Sequence, residues 1–155
     1  MPLFTSPLMT VKPEWTDYNG HLNMAYYGVL FDNGMEFFTD EIDLSEAYMR
    51  RSAHTTYSAE FRIRYLREVH AGAQVRATTR LLDVGPKAFH FCQELIHEDG
   101  WIAATGEGIS LHIDQSGPRV APYPEPQMAR LLAAAEEHAA DPVPDWVGAP
   151  MRIRK

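Results

Sequence analysis

One cysteine, Cys92, stands in the whole chain of 155 residues. No intrachain disulfide can form, so the fold has to rest on packing or on association with other chains, and this usage suits a reducing compartment. No apolar run approaches the roughly 20 residues of a membrane-spanning helix. The stretch from Met1 to Trp15 lacks the basic segment and following apolar segment that direct secretion. A cytoplasmic protein with no membrane partner is expected. Positive charge is also in deficit: 14 Lys and Arg face 21 Asp and Glu, a formal charge of −7. That balance repels a phosphate backbone and argues against nucleic acid as a partner. It argues less against a small anionic ligand, which a local basic cluster can hold. The seven histidines include no His-x-x-x-His pair or comparable ligand spacing, so no metal site is expected. No Gly-x-Ser-x-Gly elbow surrounds any serine, which weighs against a hydrolytic triad of Ser58, Ser110 and His112.

What is present is an ordinary globular composition, 45% hydrophobic and 23% charged, enough to bury one core. Residues Leu8 to Trp15 alternate weakly and predict a first strand. It stops at Thr16-Asp17-Tyr18-Asn19-Gly20, where Asn-Gly supplies a turn that accepts positive φ. From Asn23 to Ile42 the apolar residues Tyr27, Leu30, Phe31, Phe37, Phe38 and Ile42 recur at roughly helical spacing, with Asn23 as N-cap. Gly28 and Gly34 weaken such a helix by about 1 kcal/mol each relative to Ala, which predicts compensation by close packing on another backbone.

An irregular stretch from Asp43 to His54 precedes period-two segments. Phe61, Ile63 and Tyr65 share one face, with Glu60, Arg62 and Arg64 on the other. Strands over 73–81 and 88–97 meet through Asp83-Val84-Gly85-Pro86-Lys87, and Asp99-Gly100 turns the chain into a strand over 102–113. Pro118, Pro122, Pro124 and Pro126 then break the pattern, Met128 to Ala139 reads as an amphipathic helix, and Pro142 to Lys155 as a tail. The expected organisation is a domain over residues 1–126 with a terminal helix and tail over 127–155. The fold class is α+β, one long helix against a curved antiparallel meander. Its uncovered edges predict a homodimer, or a dimer of dimers, in which sheets join.

Chemistry concentrates where the first strand meets the long helix. Asp17 is a carboxylate able to act as a nucleophile or to activate water, and the two roles stay open on residue type alone. The helix start offers unpaired amides near Asn23, Met24 and Ala25, an environment suited to a developing oxyanion. Gly20 allows close approach, and His21 can orient Asn19, hold the loop or polarise a carbonyl. Read singly, these residues describe an Asx-rich turn that caps a helix.

Read jointly, Asp17-Tyr18-Asn19-Gly20-His21-Leu22-Asn23-Met24-Ala25-Tyr26-Tyr27 resembles the Asp-x-Asn-Gly-His-x-Asn-x-x-x-Tyr signature of hotdog thioesterases of the 4-hydroxybenzoyl-CoA thioesterase family. The similarity in element order runs from about Pro7 to about Pro122. The resemblance implies hydrolysis of an acyl-CoA by Asp17, supported by Asn19, Gly20, His21 and Asn23, with coenzyme A entering as part of the substrate and no separate cofactor. The segments Pro13 to His21 and Tyr65-Leu66-Arg67-Glu68-Val69 also resemble the branch of that family associated with carnitine breakdown, whose proposed substrate is betainyl-CoA.

Trp15, Met24, Tyr26, Tyr27 and Phe31 are candidate acyl-binding residues. Aromatics near carboxylates such as Asp32 and Glu36 can hold a quaternary ammonium, although rings beside a helix also simply pack. Asp32 and Glu36 share a helix face, and a solvated or salt-bridged face is the preferred account of the pair. Arg62, Arg64 and Arg67, with Lys87 nearby, can meet the phosphates of coenzyme A, or form a charged outer face with Glu60 and Glu68. The alternatives to a thioesterase are a hotdog enoyl-CoA hydratase and a binding module that holds an acyl-CoA without turnover.

Overall fold

A computed structural model describes residues 3–155. Two short strands, β1 (Phe4–Thr5) and β2 (Met9–Thr10), and a 3-10 turn at Pro13–Trp15 precede the long helix α1 (Met24–Glu41). A short helix, α2 (Glu46–Ser52), leads into β3 (His54–Tyr65), β4 (Gln74–Val84), β5 (Ala88–His97) and β6 (Ile102–Asp114). The chain ends with β7 (Arg119–Val120), α3 (Glu125–His138) and a coil. All strand pairs are antiparallel, in the order β1-β4-β5-β6-β3, with β2 also on β4 and β7 on β6. This is the expected α+β hotdog arrangement, a curved sheet laid against one long helix. Among the described residues no helix is long and apolar enough to cross a membrane.

Both hairpins turn where the sequence punctuates. Gly85 N–H donates to Ala88 O at 2.8 Å, and Gly100, at φ +90°, closes the β5–β6 turn. Register shifts at Ser58/Glu60, Leu81/Asp83 and Leu95/Ile96 bend and twist the long strands, as bulges do. On β6, Gly106 and Gly108 make room for an aromatic stack. A Cβ at either position would stand 2.5 or 2.9 Å from the Phe61 ring, which instead packs edge-on to Phe31 at 5.5 Å and stacks on Phe91 at 6.0 Å.

The helix meets the sheet through two hydrophobic clusters. Its first half places Tyr27, Leu30 and Phe31 against Val75, Ala77 and Leu95. Its second half places Phe38 among Leu81, Phe89 and Phe91, where α3 adds Leu131 and Ala134. The glycines divide. A Cβ on Gly34 would sit 2.4 Å from Ala77 Cβ on β4, whereas one on Gly28 would meet nothing within 4 Å. The close packing expected of both glycines therefore exists at Gly34 alone.

Three local readings change. The first strand ends at Thr10, because Pro13, which has no N–H to give a ladder, opens a 3-10 turn that carries the chain through Trp15. The stretch read as irregular contains α2, seven residues bounded by Asp43 at φ 58° and Ala53 at φ 57°, too short to show a helical period. The tail returns across the sheet: Arg80 donates to the carbonyls of Asp141 and Pro142, and Arg62 and Arg64 donate to Ala149 O.

Two buried histidines are biased toward the neutral form. His112 Nδ1 lies 2.8 Å from Ala121 O, which can only accept, so its proton sits there and Nε2 accepts from the Tyr48 hydroxyl at 2.9 Å. His138 Nδ1 accepts from Leu81 N–H at 3.0 Å, and its Nε2 is buried with no partner among the described residues. Burial lowers the pKa of both, and His54, stacked 5.2 Å from His112, adds to the effect there.

Two measurements test this packing. Gly34→Ala is expected to cost about 1–3 kcal/mol through overpacking against Ala77, while Gly28→Ala gains about 0.5–1 kcal/mol of helix propensity; urea midpoints of the two variants should move in opposite directions. The histidines set a pH dependence. As pH falls through the unfolded histidine pKa of about 6.5, the unfolded chain binds protons that the fold refuses, so stability declines by up to ~1.4 kcal/mol per histidine per pH unit. Glu36 and Glu94, raised by burial, work in the opposite sense at lower pH. The check is therefore the urea midpoint between pH 7.5 and about 6, where a flat or rising profile would contradict the assignment.

Candidate active site

The loop between the 3-10 turn and α1 is closed by its own backbone. Asp17 N–H donates to His21 O at 3.2 Å, Gly20 N–H to Asp17 O at 2.9 Å, and Asn23 N–H to Trp15 O at 2.9 Å. Gly20 takes the positive φ expected of it, +81°. Leu22 N–H donates to Val69 O at 2.7 Å, which pins the loop to the segment after β3. His70 Nδ1, 3.2 Å from Gly20 O, holds the tip from the same segment.

Within the loop Asp17 is fixed at both oxygens. Oδ1 accepts the Asn19 amide at 2.9 Å, and Oδ2 accepts from Asn23 Nδ2 at 3.4 Å. Asn23 is the expected N-cap: its Oδ1 accepts Ala25 N–H at 3.0 Å. Of the three amides expected to face a substrate, Asn23's is spent on Trp15 and Ala25's on the cap. Met24's has no partner among the described residues.

Asp17, His21, Asn23, Met24 and Tyr27 line a cavity of about 410 Å³ whose opposite wall is Tyr65, Leu66, Arg67 and Glu68, at and beyond the end of β3. His21 Nε2 lies 3.1 Å from Glu68 Oε2. Tyr27 and Tyr65 meet at 5.0 Å with their planes at 84°, and Tyr65 Oη donates to Met24 O at 3.2 Å. Burial, then the neighbouring Tyr65 and Glu68, raise the Tyr27 phenol above its usual range, so it stays protonated and donates to Arg67 O at 3.4 Å.

The remaining candidates part company. Trp15 and Tyr26 stack on each other at 5.7 Å, with Lys12 Nζ 5.1 Å from the Trp15 ring, and neither lines the cavity. Tyr18 is 98% exposed at the loop tip. Phe31 is buried and borders a second cavity, about 160 Å³, between α1 and the sheet, with Asp32 and Glu36 at its rim. Of the three arginines only Arg67 reaches the first cavity, and its guanidinium lies 4.1 Å from the Trp101 ring. Arg62 and Arg64 project from the outer face to the tail. Arg62 also donates to Glu107 at 2.8 Å, and although burial works to raise this carboxyl, the Gly148 amide, His90 and Arg62 hold it below its usual range.

Ser58 and Ser110 face each other across β3 and β6, and the His112 ring nitrogens are spent on Tyr48 and Ala121 and not on either serine. Cys92 is buried, which pushes its thiol up to about 12 and leaves it without thiolate character at neutral pH. Sequence reasoning does not single out Tyr65 or Glu68 as site residues. Their one trace is the segment Tyr65 to Val69, and its place opposite Asp17 depends on the Leu22–Val69 hydrogen bond.

Residues 11–149 match the family model of the Thioesterase-like superfamily, and the chain belongs to that family. The match runs past Pro122, where the similarity was expected to end, through α3 and into the tail. Among individual relatives, a betainyl-CoA thioesterase of Pseudomonas aeruginosa is 37% identical over 139 residues, covering 89% of this chain and 87% of that protein. An L-carnitine dehydrogenase/betainyl-CoA thioesterase of Agrobacterium fabrum is 34% identical, covering 92% of this chain and 29% of the longer relative. A hypothetical protein from Staphylococcus aureus, solved in complex with CoA, superposes with a TM-score of 0.90 at 27% identity, over 98% of this chain and 96% of the other.

Asn23 makes a separable contribution to stability and to the site. Asn23→Ala is expected to lose about 1 kcal/mol of helix capping, read as a lowered urea midpoint. Asn23→Ser keeps a capping oxygen and most of the midpoint while removing the amide that faces Asp17 Oδ2, so the two variants should share a functional defect and differ in stability.

Proposed function

We propose that the chain is an acyl-CoA thioesterase that hydrolyses betainyl-CoA to betaine and free coenzyme A, with Asp17 as its catalytic residue. The observation that carries this reading is a carboxylate held by Asn19 and Asn23 beside a helix start whose Met24 amide has no partner among the described residues, in a cavity of about 410 Å³. The family, the betainyl-CoA thioesterase name of the Pseudomonas aeruginosa relative and the CoA-bound Staphylococcus aureus neighbour support the substrate class.

Asp17 either takes a proton from water as that water adds to the acyl carbon, or adds to the acyl carbon itself and is released by water in a second step. In both routes the C–S bond breaks, the sulfur leaves as a thiol after gaining a proton, and the carbonyl oxygen carries negative charge between the two events. The Met24 amide and the positive end of α1 suit that charge. Gly20 keeps the loop tip free of a side chain, and the His21–Glu68 contact steadies the wall. Arg67, at the cavity rim, is suited to a phosphate of coenzyme A. The long edge strand β3 supports association of two sheets into a homo-oligomer, and the lone buried cysteine suits the cytoplasm.

Asp17→Asn is expected to lower thiol release from betainyl-CoA by roughly 10²–10⁴-fold while leaving KM within a few-fold, since the amide keeps the size of the carboxylate but cannot act as base or nucleophile. Free thiol is followed with a colorimetric disulfide reagent. Unchanged turnover would remove Asp17 from the mechanism, and conversion without thiol release would point to a hydratase.

A further inference from the structure

Resting on the betainyl-CoA reading, we infer that the quaternary ammonium of the acyl group is held in the Asp17 cavity itself, by the carboxylate of Glu68 and the paired rings of Tyr27 and Tyr65. A quaternary ammonium has no N–H to donate, so a protein recognises it by negative potential and by aromatic contact. Of the cavities that combine both properties, two hold the candidate acyl-binding rings Phe31 and Tyr27. The one between α1 and the sheet is richer in rings, with Phe31, Phe61 and Phe91 beside Asp32 and Glu36. The one at the loop has Tyr27 and Tyr65 beside Asp17 and Glu68.

Reach decides between them. In a betainyl thioester one methylene separates the acyl carbon from the nitrogen, so the two atoms lie only about 2.5 Å apart on standard bond lengths. Asp32 follows Asn23 by nine residues on α1, which at 1.5 Å per residue sets it roughly 13 Å along the axis from the cap. With the acyl carbon at Asp17 of the same chain, the cation cannot enter the second cavity. Trp15 and Tyr26 are stacked on each other outside the cavity and Tyr18 stands at the loop tip, so the rings within reach are Tyr27 and Tyr65.

Glu68 supplies a carboxylate that its surroundings orient. His21 Nε2 stands 3.1 Å from Oε2, which sets the carboxylate on the wall opposite α1. The basic side chains nearby have partners of their own. Arg67 lies over Trp101, 4.1 Å from the ring centroid, and His70 reaches back to Gly20 O. Tyr65 is fixed by its bond to Met24 O, so its ring borders the same space as the reacting carbonyl. The arrangement makes charge, and not only shape, the basis of acyl selection.

The test compares betainyl-CoA with 3,3-dimethylbutanoyl-CoA, which has the same outline but carbon in place of the charged nitrogen, and reads the ratio of their kcat/KM values. Wild type is expected to favour the cationic ester. Glu68→Gln, which keeps the length of the side chain and removes its charge, and Tyr65→Leu are each expected to reduce the ratio by roughly threefold or more, the scale of partly exposed ion-pair and cation–π contacts. Tyr65→Phe, which retains the ring, restores most of it, and the double variant Asp32→Asn/Glu36→Gln leaves it unchanged. An unchanged ratio in Glu68→Gln, or a fall confined to Asp32→Asn/Glu36→Gln, overturns the inference. Equal use of both esters by wild type also overturns it while leaving the thioesterase reading intact. Release of thiol from neither ester would remove that reading and the inference together.

Discussion

The side chain of Asn23 makes two hydrogen bonds in opposite senses: its oxygen accepts the Ala25 amide and its nitrogen donates toward Asp17. One residue thereby starts the long helix and sets the carboxylate beside that start. The backbone of the same residue ties back to Trp15, and its neighbour Leu22 ties across to Val69. Loop, helix and the far wall of the cavity are therefore referred to a single point. A short polar side chain in extended backbone is what such a junction needs, because a longer one would not fold back onto its own first turn.

The rest of the fold holds that point in place. Gly34 lets α1 lie close on Ala77 of β4, and the glycines of β6 let Phe61 and Phe91 cross beneath the helix. A helix clamped along its length on a bulged sheet cannot slide, so its first turn keeps its distance from the end of β3. The tail contributes differently: its backbone carbonyls accept from Arg62, Arg64 and Arg80 and so tie these side chains down away from the cavity. Arg67, beyond the end of β3 and released from strand alternation, is left on the cavity side.

Much of this was legible in advance. Hydrophobic period separates α1 from the long strands, Asp-Gly and Gly-Pro mark the hairpins, and Asn-Gly marks the positive φ at Gly20, because each rests on interactions within a few residues. The short elements escaped. Helix α2 spans only two turns, and β1, β2 and β7 contain two residues each, so none completes enough of a period to register. Gly28 and Gly34 look alike in sequence, yet only one faces β4, since helix phase relative to a distant strand decides it.

By itself the sequence determined the order of the main elements, the capped start of α1 and the grouping of Asp17, Asn19, Gly20, His21 and Asn23, all of which depend on neighbours in the chain. The tertiary structure alone decided which rings and charges share the cavity. It brought Tyr65 and Glu68 opposite Asp17, drew Arg62 and Arg64 to the tail, stacked Trp15 on Tyr26 and buried Phe31 in the core. The physical reason is that a cavity wall is assembled from segments about fifty residues apart, and whether a side chain faces it depends on strand register and helix rotation set by packing elsewhere, which no local pattern encodes.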